Sequence, residues 1–118
     1  MKPIITLIVL FLLTLGCAQS TSKPITELSQ NDTKTGILID VRTPEEFNEG
    51  HLENALNINW FDEDFAKQFE DVEKEKTIYV YCKMGGRSAK AQEKLKSLGY
   101  ENVVNLEGGY DAWKKVKN

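Results

Sequence analysis

The run Ile37-Leu38-Ile39-Asp40-Val41-Arg42 constrains the fold more than any other stretch, because its apolar residues are consecutive rather than alternating with polar ones. Such a run is typical of a strand covered on both faces, as in a parallel sheet with helices packed above and below. Thr77-Ile78-Tyr79-Val80-Tyr81 reads as a second strand, β-branched and aromatic, that leads straight into Cys82. Ala55 to Asn59 and Asn102 to Leu106 suggest two more, and a short extended segment begins at Ile25.

Helical patterns lie between these strands. Thr26 to Asn31 is expected to form a helical turn. Thr43-Pro44-Glu45-Glu46 reads as a helix start, with Thr43 as N-cap, Pro44 at the first helical position and Glu46 completing a capping box; that helix stops by Gly50. A helix is expected over Phe61 to Glu73, with Phe61, Phe65, Phe69 and Val72 on one face. Ser88 to Leu98 is helical through Ala91, Leu95 and Leu98, with Gly99 as its C-terminal cap. Gly108-Gly109 is a turn, and Tyr110 to Val116 a last helix with Trp113 facing inward. The alternation implies an α/β fold of three layers, α/β/α, around a central parallel sheet of about five strands. Sites in such sheets lie beyond the carboxyl ends of the strands, where Asp40 and Cys82 both fall.

The first residues form a separate unit. Lys2 gives a positive start, Ile4 to Leu15 an apolar run, and small residues follow. Twelve residues span only about 18 Å as a helix, short of a hydrocarbon core of about 30 Å, so residues 1–16 read as a signal peptide rather than a membrane span. Leu13-Thr14-Leu15-Gly16-Cys17 resembles the lipobox of bacterial lipoproteins, although Thr14 holds the place where leucine usually lies. Lipidation of Cys17 is the expectation, and an ordinary signal cleaved nearby the alternative. Residues 17–23 are then a tether and 24–118 one domain, exported to a bacterial cell envelope and held at the membrane by its lipid.

The chain has two cysteines, so lipidation of Cys17 leaves Cys82 without a disulfide partner. The 118 residues carry 15 basic and 18 acidic groups, a net charge of −3, which argues against nucleic acid as a partner. Hydrophobic residues at 41% and charged residues at 28% suit one soluble domain. No His, Cys and carboxylate cluster shows metal-ligand spacing, and no metal or cofactor is expected.

Cys82-Lys83-Met84-Gly85-Gly86-Arg87-Ser88 joins a strand end to a helix start. Gly85 and Gly86 permit positive φ, so successive backbone N–H groups can turn inward as an anion nest. The following helix points its positive end at the same spot, favouring a nucleophilic thiolate. This loop, with Asp40-Val41-Arg42, Gly50-His51-Leu52 and Gly108-Gly109-Tyr110-Asp111-Ala112-Trp113 in order, resembles the rhodanese homology domain over about Ile25 to Val116.

The resemblance implies a sulfurtransferase. Cys82 attacks the outer sulfur of a donor such as thiosulfate, holds it as a persulfide, and passes it to cyanide or a thiol, including a thiol or reductant on a partner protein. Lys83, Met84, Gly85, Gly86 and Arg87 form the substrate loop, with Lys83 adding a cation where an arginine is common in active members. Arg87 closes the loop against a carboxylate. Arg42 would help recognise an anionic donor. Asp40, Ser88 and His51 act as structural support, with an Asp40–Arg42 ion pair preferred to a catalytic role and His51 preferred as architecture to a general base. Four residues between cysteine and arginine, rather than the five of related phosphatases, disfavour phosphate-ester chemistry. The alternative is a slow or non-catalytic membrane-tethered carrier or interaction module on the same fold.

Overall fold

The computed structural model describes residues 21–117. The expected signal peptide and Cys17 lie outside them. Five parallel strands, β1 (Ser22–Pro24), β2 (Ile37–Asp40), β3 (Leu56–Asn57), β4 (Thr77–Tyr81) and β5 (Asn102–Glu107), form one sheet in the order β1-β5-β4-β2-β3. Among the described residues four α-helices accompany them: α1 (Gln30–Thr35), α2 (Pro44–Glu49), α3 (Gly86–Ser97) and α4 (Gly109–Lys117).

Alternate residues of the central strands feed two cores, which is why the apolar residues of β2 and β4 are consecutive. Ile39, Ile78 and Val80 face one side with Phe65, Phe69, Ala91 and Leu95. Leu38, Tyr79 and Tyr81 face the other with Ile25, Leu52 and Leu106, covered in part by Phe47, Tyr110 and Trp113. The three-layer α/β expectation therefore holds, with Trp113 packed inward as expected. Each fully buried large apolar side chain here contributes about 1.5–3 kcal/mol.

Local signals decide several ends. Thr43 Oγ1 accepts from Glu46 N while Glu46 Oε1 accepts from Thr43 N, closing the capping box at α2. At the end of α3, Gly99 (φ 96°) donates to Lys96 O and Tyr100 donates to Leu95 O, a Schellman closure whose outer residue, Tyr100, is buried.

Three expectations shift. The described part of the expected tether is not free chain: Ser22–Pro24 pairs with Asn105–Glu107, and Thr21 O accepts from Asn105 N and Gln92 Nε2. The first strand thus precedes Ile25, which opens a 3-10 turn instead. Residues 61–73 do not form an α-helix; they run as turns with a 3-10 segment at Lys67–Phe69. Short polar side chains close local bonds there, Asn59 Oδ1 accepting from Phe61 N and Asp62 and Asp64 from Gln68 Nε2. Phe65 and Phe69 are still buried, but Phe61 is 66% exposed.

Candidate active site around Cys82

The chain passes from β2 to β3 on one side and later enters β4 on the other, so the sheet reverses its winding between β2 and β4. Ligands bind at such a reversal, beyond the carboxyl ends of the strands. The register pairs Asp40 with Tyr81, and Val41 N donates to Tyr81 O at 2.9 Å. Cys82 is the next residue. Asp40 and Cys82, both expected at strand ends, therefore lie on adjacent strands at the same edge of the sheet.

Cys82 Sγ accepts a hydrogen bond from Gly85 N at 3.0 Å and lies 3.4 Å from Ser88 Oγ. Gly85 makes this possible with φ 130°, and α3 begins at the next residue. Gly86 does not use the positive φ the sequence allowed it; it is already helical. Ser88 Oγ also donates to Gly85 O at 3.2 Å, bracing the turn from inside. The cysteine as a whole is 1% exposed, while Lys83, Met84 and Gly86 stand outside it. A methyl group at Gly85 or Gly86 would meet nothing within 4 Å, so the loop borders open space.

Arg87 finds the carboxylate expected of it in Glu46: Nη1 donates to Oε1 at 2.6 Å and Nη2 to Oε2 at 3.0 Å. The sequence assigned Glu46 only to the helix cap; a partner 41 residues away leaves no local signal. The Arg87 hydrogen bonds hold the Glu46 carboxyl far below its usual range, at about 2, against the opposing effect of partial burial. Arg87 also stands 5.8 Å from the centre of the exposed Phe61 ring.

Asp40 and Arg42 form a buried pair, with Arg42 Nη2 donating to Asp40 Oδ2 at 2.7 Å and Arg42 Nε within 3.0 Å of both carboxylate oxygens. Arg42 also donates to Gly50 O at 2.7 Å and lies 4.3 Å from the centre of the Tyr110 ring. The guanidinium is thereby committed to joining three segments. It does border a cleft of about 220 Å³ shared with Lys83 and Lys114.

Lys83 is not left facing the loop mouth: its Nζ donates to Asp111 Oδ2 at 2.8 Å. Met84 is 72% exposed, at the rim. His51 is held by Phe47, stacked on its ring at 3.6 Å with Nδ1 2.8 Å from Phe47 O. These contacts hold the exposed ring against the last turn of α2.

A sequence profile described as the Rhodanese-like domain matches residues 24–116. The chain belongs to the rhodanese-like family. A protein of Allochromatium vinosum named Sulfurtransferase is 34% identical over 82 residues, covering 70% of this chain and 75% of the relative. The Adenylyltransferase and sulfurtransferase UBA4 of Candida albicans is 44% identical over 87 residues, covering 68% of this chain; the match spans only 20% of that larger protein. The crystal structure of a rhodanese-related protein from Thermoplasma volcanium matches with a TM-score of 0.70 and 32% identity, over 81% of this chain and 92% of the other. Two of these three proteins carry sulfurtransferase in their names.

Proposed function

We propose that the protein transfers sulfane sulfur through a persulfide on Cys82. The thiolate attacks the outer sulfur of a donor such as thiosulfate; the donor's S–S bond breaks, a new S–S bond forms at Cys82, and sulfite leaves with its electron pair. A thiol or cyanide then attacks the outer persulfide sulfur and Cys82 departs as thiolate. The observation that carries this reading is the Gly85 N–H aimed at Sγ at the start of a twelve-residue helix, an arrangement that favours negative charge on sulfur. The proposed site on the relatives' shared domain needs no metal or cofactor for either step.

Intact mass after incubation with thiosulfate tests it. One added sulfur atom, absent in Cys82→Ser, is the expected result; no adduct with any sulfane donor sinks the proposal.

The near-complete burial of Cys82 and the engagement of Lys83 by Asp111 favour a second reading, a slow carrier whose acceptor is a protein thiol. Slow turnover with every small acceptor, beside fast transfer to a protein thiol, distinguishes it. We also propose export and a lipid on Cys17, which mass analysis of the membrane fraction tests, Cys17→Ser being the control.

A further inference from the structure

We propose that the first turn of α4, Gly109 to Asp111, is the positioning device for the cysteine loop: by holding two loop carbonyls outward it aims the Lys83 and Met84 amides toward Cys82 Sγ. The purpose of this device rests on the persulfide reading, in which negative charge sits on Sγ in the free thiolate and on the outer sulfur bonded to it in the persulfide.

Tyr110 N donates to Cys82 O at 2.8 Å, and Asp111 N donates to Lys83 O at 3.1 Å. The opening amides of a helix have no partner within it, and here the loop supplies acceptors for two of them. In a trans peptide the C=O and N–H point in opposite directions. No described peptide bond is cis. Cys82 O turned onto α4 therefore sends the Lys83 N–H the other way, and Lys83 O does the same for Met84. Gly85 N, the next amide, already donates to Sγ.

Gly109 permits the approach. Its φ is 60°, and a Cβ there would lie 2.5 Å from both Cys82 O and Lys83 O. Those neighbours are backbone and cannot swing aside. The contrast with Gly85 and Gly86, whose added Cβ would meet nothing within 4 Å, locates the steric demand at α4 rather than in the loop. The Lys83–Asp111 ion pair crosses the same seam from outside, but both side chains are well exposed, so it adds little.

Amide NMR of the full chain tests this without requiring sulfur transfer, which the mass measurement judges separately. As pH is raised to ionise Cys82, the Lys83, Met84 and Gly85 amide protons should all move in the wild type and stay in Cys82→Ser. Gly109→Ala should alkylate with iodoacetamide roughly tenfold more slowly, as expected when preorganised donors turn away from an anion. Gly36→Ala is the control for general damage: its Cβ would lie 2.8 Å from Thr77 O, at the other end of β4, and it should lower the melting temperature without slowing alkylation. A response of Gly85 alone overturns the proposal, whether or not Gly109→Ala folds, and so does a folded Gly109→Ala chain that alkylates at the wild-type rate.

Discussion

Arg87 and Glu46 meet fork to fork across 41 residues, at 2.6 and 3.0 Å, and the same Glu46 oxygen that takes the shorter bond also accepts from Thr43 N. One carboxylate thus ties the start of α3 to the start of α2. Glu46→Gln keeps an acceptor for the cap but leaves Arg87 without its counter-ion. The expected cost is about 2 kcal/mol in chemical denaturation, the scale of a charged hydrogen bond, with slower sulfur loading on Cys82. Arg87→Lys should lose nearly as much, since a lysine cannot make the paired geometry.

The same pair predicts an acid limit. Glu46 is held at about 2, first by Arg87, and Asp32 is held at about 2 by the Ser29 backbone amide and by Lys23. Both carboxyls lie below their unfolded values, so their stabilisation is complete above those values and is lost as pH falls through the folded ones. Melting temperature should therefore decline between about pH 5 and pH 2. In Glu46→Gln that decline should be shallower, because one of the two protonations is gone.

The two loop glycines should respond in opposite ways. Gly85 sits at φ 130°, so Gly85→Ala is strained despite open space and should cost about 1–2 kcal/mol and slow sulfur loading. Gly86 is the first residue of α3 and meets nothing, so Gly86→Ala should stabilise by about 0.4–1 kcal/mol. Thermal denaturation of the two variants side by side decides it.

The sequence could show strands buried on both faces and caps, because each is written locally: Thr43 and Glu46 are three residues apart, and Ile37 to Ile39 are contiguous. The loop around Cys82 was legible for the same reason. What it could not show is set by long-range geometry. Lys83 looked like a free cation until Asp111, 28 residues on, took it. The aromatic spacing from Phe61 to Val72 matched a helix period, yet side-chain bonds from Asn59, Asp62 and Asp64 hold that segment in turns. The edge strand at Ser22–Pro24 is polar enough to pass for tether, and only its pairing with β5 makes it a strand.

Asp40 is fully buried and Arg42 nearly so, and this pair supports the Gly50 carbonyl at the end of α2. Removing one partner strands the other's charge in the core, which costs more than the pair contributes over an apolar replacement. Asp40→Asn should therefore destabilise by about 3–5 kcal/mol in urea denaturation, and Asp40→Leu with Arg42→Met should recover a large part of that loss. If the pair only pins segments together, as its three-way bonding implies, the double variant should also recover sulfur loading. A double variant that regains stability but stays unable to load Cys82 would instead assign Arg42 to the donor, across the cleft it borders with Lys83 and Lys114.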